Sequence, residues 1–298
     1  MTNSQSHQPG AGASDPGDPP LDPVEYCRGS VRQDDPDRYL VSLFCPAESQ
    51  AALWAIHAFN QEIGKTRESV SDPTLGQIRL QWWRESLEAI EAGTPRRHPV
   101  VEALARIEGF DGLYPILIDM IDAREQDLFD TGPDDFDALA DYTRRAAGGV
   151  TVAAMWVLGA QDDHLVAGRA AGAAFGMTGL IRATAYHSAL GTSRLPQEDV
   201  TRAGLAPEAA RQKEAQEALR PIFMRMVAFA RSEAKRARSM RRRIPSKMRA
   251  PMLELALVDQ YLAIIESRQG RAFELPLDKP SRFSKMLTLM GRSLLGRY

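Results

Sequence analysis

Ile78-Arg79-Leu80-Gln81-Trp82-Trp83-Arg84-Glu85, with Leu87 and Ile90 just beyond, decides the fold class. Leu80, Trp83, Leu87 and Ile90 step by three, four and three residues, which places four large apolar side chains on one stripe of a helix. Trp82 and Trp83 are neighbours and point about 100° apart on that helix. One is expected in the core and the other against a neighbouring helix or a cavity wall, with aromatic stacking on a ligand as the alternative. The same period recurs outward along the chain. Leu53, Ile56, Phe59 and Ile63 form one stripe, and Leu113, Leu117, Met120 and Ile121 another. Phe283, Met286, Met290 and Leu294 form a last one. Alternation of period two is absent over any useful length, so no sheet is expected.

The breaks carry turn chemistry. Asp72-Pro73, Gly93-Thr94-Pro95, Thr131-Gly132-Pro133-Asp134 and Leu195-Pro196 are all poor helix interior. Ser246 offers a helix cap, but Pro251 follows five residues later, which moves the expected boundary to Arg249 or Ala250. The pattern predicts about ten helices in one all-α bundle spanning residues 25–298 as a single domain. Residues 1–24 are Gly, Pro, Ser, Asp and Gln with almost nothing apolar, and a disordered tail is expected there.

Composition narrows the function classes. The chain has 298 residues, 44% hydrophobic and 26% charged, enough for a large core. Two cysteines, Cys27 and Cys45, exclude a disulfide scaffold and fit a reducing compartment. The five histidines stand apart without zinc spacing, so no metal centre is expected. The first 24 residues have neither the apolar stretch of a signal peptide nor the arginines of a transit peptide. The longest uncharged run, Ala146 to Gln161, is short of a ~20-residue membrane span and reads as a buried helix. A cytoplasmic protein is expected, with peripheral attachment to the inner face of a membrane left open.

The net charge of −2 conceals a split. Residues 1–200 hold 16 Lys+Arg against 30 Asp+Glu, and residues 201–298 hold 21 against 9. Nine of those cations lie between Arg231 and Arg249, with Glu233 as the only acid. Arg238, Arg241, Arg242, Arg243 and Lys247 are therefore candidates for contact with a protein partner or an anionic membrane surface. The alternative is a solvated face pairing with the acidic first two thirds. Aromatic residues do not interleave with the charges, so nucleic acid is not expected. The stretch from Arg282 to Tyr298 is amphipathic and either lies on a membrane or docks as an ordinary last helix.

Several stretches together resemble the squalene/phytoene synthase family. They are Asp37-Arg38-Tyr39, Leu43 to Pro46, Ala58-Phe59-Asn60, Ile78 to Glu85 and Asp122 to Leu128, then Tyr142 with Ala147-Gly148-Gly149, Gly172 to Arg182, and Arg194-Leu195-Pro196. The resemblance implies an isoprenoid-synthase-type helical bundle. In active members it implies head-to-head joining of two prenyl diphosphates, with Mg²⁺ held by carboxylates on two facing helices. Where the family's first acidic motif falls, this chain reads Gly64, Lys65 and Glu68. Where the second falls, it reads Ala183, Tyr186 and His187. A cation at 65 repels Mg²⁺, and removing metal ligands from a site that ionises a diphosphate costs several kcal/mol per metal.

Asn60, Glu62, Lys65 and the Trp82-Trp83 stretch look closer to the branch that includes the mitochondrial complex I assembly factor. That resemblance implies a non-catalytic accessory or assembly factor for a respiratory membrane complex, without a cofactor. Two alternatives stand beside it. One is a Mg²⁺-dependent prenyltransferase whose pocket still uses Arg79, Arg84, Arg182 and the Tyr142 region. The other is a carrier of an isoprenoid or lipid. Lys65, Arg67 and Arg182 are candidates to bind an anionic ligand without metal, or they are solvated and paired, Lys65 and Arg67 with Glu62 or Glu68. His187 is a candidate acid–base group or a structural hydrogen-bonder. Asp122 and Asp127, five apart, are off the one-face spacing and are expected in capping or ion pairs.

Overall fold

The computed structural model describes residues 21–70, 72–277 and 280–298. Among them there are helices and turns and no strand, as the apolar stripes require. In chain order the helices are α1 (Pro23–Asp34), α2 (Pro36–Ser42), α3 (Ala47–Gly64), α4 (Pro73–Glu91), α5 (Pro99–Leu104), α6 (Phe110–Arg124) and α7 (Phe136–Val157). They continue as α8 (Asp162–Arg182), α9 (Thr184–Ala189), α10 (Gln197–Arg202), α11 (Gln216–Ser239), α12 (Glu254–Ser267) and α13 (Arg282–Leu294).

Most of the expected tail lies outside the described residues. Its inner end is helical, because α1 begins at Pro23 rather than 25. Asp22 Oδ1 accepts the Val24 N–H at 2.8 Å, and Pro23 fills the first helical position, where a missing N–H costs nothing. The expected turns fall where the sequence put them. Asp72 caps α4 by accepting the Thr74 N–H at 2.7 Å, and Gly93, at φ 74°, takes the left-handed conformation just past its end. The boundary before α12 differs. Ser246–Met248 and Ala250–Leu253 wind as two 3-10 turns, and the α-helix starts only at Glu254. Pro251 cannot donate to an i−4 carbonyl, so the tighter turn carries the chain past it.

The core forms two clusters. The first lies among α1, α3, α4, α5 and α6 and includes Cys27. Trp83 is fully buried there, edge-on to Phe59 with ring centroids 5.4 Å apart. Trp82 is half-buried between the His98 ring and the Arg96 guanidinium, against the neighbouring segment. The second cluster lies among α7, α8, α11 and α12 and includes Cys45. The uncharged run from Ala146 supplies the inner part of α7, and no described helix is long and apolar enough to cross a membrane. Helices α7 and α8 approach backbone to backbone. A Cβ on Gly172 would sit 2.5 Å from the Ala147 carbonyl oxygen, so only glycine fits there.

Helix α13 docks on the bundle but turns most of its apolar stripe away from it. Phe283, Met290 and Leu294 face outward, and the side turned to the bundle is Lys285 and Leu289. Polar contacts set this register. Lys285 Nζ lies 2.6 Å from the buried Asp37, Gln260 donates to Thr288 at 2.5 Å, and Arg292 pairs with Asp259 at 3.3 Å. Lys285 is buried because a buried carboxylate waits for it, and its removal would leave that charge less compensated.

The basic segment is not neutralised mainly by the acidic first two thirds. Arg231, Arg238 and Arg292 converge on Asp259 of α12, and Arg231 also reaches Glu266 at 2.8 Å. Arg238 and Arg241 donate to the Tyr298 and Gly296 carbonyls. Arg242, Arg243 and Lys247 are exposed and make no ion pair among the described residues.

Candidate functional site

Helix α3 ends at Gly64 and α8 ends at Arg182, and both ends reach one side of the bundle. Between them lies a cavity of about 210 Å³. Gly64 and Glu68 from the first motif line it, as does His187 from the second, so the fold does bring the two motifs together. Lys65 and Arg182 do not line it. Lys65 turns to the surface and pairs with Asp34 at 2.6 Å. Arg182 lies over the Tyr261 ring at 3.5 Å and 3.6 Å from Asp37. Of the three candidate anion-binding cations only Arg67 is on the cavity wall, and it is held by Asp130 at 2.8 Å and the Val70 carbonyl. Ala183 caps the end of α8. Tyr186 is half-exposed, and burial with a hydrogen bond to Glu68 pushes its hydroxyl up to about 12.

The rest of the wall comes from residues that spacing alone did not mark. Arg124, the last residue of α6, donates to Asp127 at 2.9 Å, to the Tyr142 hydroxyl at 2.6 Å and to Asn60 Oδ1 at 3.1 Å. Tyr142 in turn donates to Asp127 at 2.9 Å. Arg194 grips the same turn from the other side, donating to the Asp127 and Phe129 carbonyls and lying 3.7 Å from the Asp127 carboxylate. The visible signal was the i, i+3 pairing of Arg124 with Asp127 inside a family stretch. Asn60, Tyr142 and Arg194 stood in other family stretches, but their convergence on Arg124 and Asp127 could come only from the fold. Asp122 pairs with Arg84 at 2.6 Å. Both acids are thus in ion pairs.

Burial fixes the protonation states. Tyr142 is raised above its ordinary value because its phenolate would be desolvated. Burial, with Arg194 nearby, pushes His187 down to about 4, so near pH 7 it presents a neutral imidazole to the cavity. Asp127 is saturated by two guanidiniums and a hydroxyl, and among the described residues no three His, Cys, Asp or Glu side chains come together as a metal site. This donor set does not fit the Mg²⁺ that the fold family implies. A Cβ on Gly64 would meet the Arg124 guanidinium at 3.6 Å, so a carboxylate placed there would face a cation before it faced a metal.

A second polar group is buried between α2, α3, α7 and α12. Thr151 donates to Glu254 at 2.6 Å, with Arg38 3.9 Å from the same carboxylate. Burial outweighs Arg38, which also pairs with Asp35 at 3.1 Å, and pushes Glu254 up to about 7. Burial pushes His57 down to about 3, and its Nδ1 has no hydrogen-bond partner among the described residues.

A squalene/phytoene synthase family model matches residues 31–286. The chain is 30% identical over 245 residues to NADH dehydrogenase (ubiquinone) complex I, assembly factor 6 of Mus musculus, covering 81% of this chain and 73% of that one. It is 31% identical over 260 residues to the Rattus norvegicus protein of the same name, covering 86% and 77%. A crystal structure of a dehydrosqualene synthase in complex with ligand superposes with a TM-score of 0.78 at 22% identity, covering 93% of this chain and 97% of that one. The helical bundle, the two motifs meeting at one cavity and a family match running from α1 into α13 agree, and the chain belongs to the squalene/phytoene synthase family.

Proposed function

We propose that the chain is a non-catalytic member of this family that serves as an accessory or assembly factor for a respiratory membrane complex of the NADH dehydrogenase type. The observation that carries the reading is the Arg124–Asp127–Tyr142–Arg194 network at the meeting point of the two motifs. It lines that end of the cavity with polar groups paired to one another, where prenyl transfer needs carboxylates free for metal. The mammalian relatives, named as complex I assembly factors and similar over most of both chains, support the same reading. In this role the scaffold presents surface rather than chemistry, and the paired cavity wall holds α3, α6 and α7 together.

The test pairs two measurements. Deleting the gene in its host should lower assembled NADH dehydrogenase on a native gel and its quinone reductase activity, and plasmid-borne wild type should restore both. Purified protein incubated with farnesyl or geranylgeranyl diphosphate and Mg²⁺ should release no diphosphate. Turnover in the second assay with normal complex levels in the first would replace this reading with the prenyltransferase one.

A further inference from the structure

Helix α13 is turned inside out. Phe283, Leu287, Met290 and Leu294 step by four, three and four, and they are 73%, 53%, 46% and 85% exposed. They form a continuous apolar stripe about 16 Å long at 1.5 Å per residue, with Leu295, 67% exposed, at its end. Scattered surface leucines need no explanation, but a contiguous stripe does. The helix is not loosely placed. Lys285–Asp37, Gln260–Thr288 and Arg292–Asp259 fix its polar side to the bundle, and Ser281 caps it by accepting the Ser284 N–H at 3.1 Å.

The two chain segments beside the stripe carry charge of one sign, and the acids packed against α13, Asp37 and Asp259, are taken up in pairs with Lys285 and Arg292. No Asp or Glu occurs in residues 280–298 or 234–253. Arg282 and Arg297 are exposed at the two ends of α13. Lys247 and Arg297 share the rim of a cavity of about 400 Å³ whose wall includes Phe44, Leu253 and the Gly296 turn. Arg241 ties the neighbouring basic turn to Gly296, which brings the unpaired Arg242 and Arg243 to the same end of the helix. An apolar stripe that lies flat, flanked by cations with no acid among them, matches the charge and polarity profile of an anionic bilayer surface.

We propose that the outward face of α13 docks this protein on an anionic phospholipid surface. Phe283, Leu287, Met290 and Leu294 enter the acyl boundary, and Lys247, Arg297, Arg242 and Arg243 meet the phosphates. The buried Lys285–Asp37 pair keeps the helix on the bundle, so the whole body is carried flat against the membrane. The inference goes beyond the proposed function and stands whether or not the chain is an assembly factor.

The test is flotation of the full chain with vesicles of phosphatidylcholine containing phosphatidylglycerol, and with pure phosphatidylcholine. Wild type should float with the anionic vesicles, and added salt should weaken the binding. Phe283→Asp with Leu287→Asp changes only exposed positions and should reduce binding about tenfold or more while leaving the far-UV circular dichroism unchanged. Lys247→Glu with Arg297→Glu should remove the preference for anionic vesicles, at about fivefold per cation lost. Equal flotation of wild type and the double Asp variant overturns the proposal. So does failure of wild type to float, including the case where the double Asp variant instead dissolves a dimer seen by light scattering.

Discussion

Arg124 donates to a carboxylate, a phenol and an amide at once, and each acceptor comes from a different part of the chain. A buried guanidinium placed this way is poorly replaced, because removing it leaves Asp127 desolvated with part of its compensation gone. Arg124→Met should lower stability by about 3–5 kcal/mol, read as a drop in the urea midpoint. Tyr142→Phe removes one hydroxyl from the same network and should cost about 1–2 kcal/mol. If the two variants cost the same, the network is not organised around the guanidinium.

At the scale of elements, α13 shows what a single buried ion pair does. Most of its large apolar residues point away from the bundle, and the buried Lys285–Asp37 pair is the deepest of the three polar contacts that fix which side faces inward. Lys285→Met should cost about 3 kcal/mol and should speed amide hydrogen exchange in α13 while α3 exchanges as before. Unchanged protection in α13 would mean that Leu289, Tyr298 and the Gln260–Thr288 and Arg292–Asp259 contacts hold the helix without the pair. The stripes of α3, α4 and α6 were legible in the sequence because their apolar residues face a core that nothing else competes for. The stripe of α13 was legible as a stripe but not in its direction, because its register is set by Asp37, about 250 residues away in the chain. The cavity follows the same rule. Gly64, Glu68 and His187 were found through the family resemblance, whereas Lys65 and Arg182 left the wall for Asp34 and Asp37. Such pairings are properties of the folded surface and leave no local pattern.

Across the whole molecule, three buried groups with large shifts dominate how stability responds to pH, and the half-buried His98, also lowered by burial, acts in the same sense as the other two histidines. His57 and His187 are pushed down to about 3 and about 4, so the unfolded chain binds two protons below about 6.5 that the fold refuses. Their contribution is complete above 6.5 and is lost as pH falls toward 4 and 3. Glu254, pushed up to about 7, has the opposite sign. Its contribution is complete below about 4.5 and is lost as pH rises through 7. The three together place the maximum near pH 6.5. Glu254→Gln should remove the decline above that point and steepen the rise below it, so its stability relative to wild type improves by a few kcal/mol between pH 4.5 and pH 8. Urea unfolding at stepped pH reads this directly, and parallel profiles for the two proteins would show that Glu254 is ionised throughout.

The two halves of the core each enclose one free thiol. Cys27 sits in the α1–α6 cluster and Cys45 in the α7–α12 cluster, and burial pushes both up to about 12. Neither sulfur is a nucleophile while its half is closed. Alkylation is therefore a pair of clocks built into the chain. The rate at Cys27 times the opening of one half, the rate at Cys45 times the other, and their ratio tells whether the molecule breathes as one cooperative unit or as two.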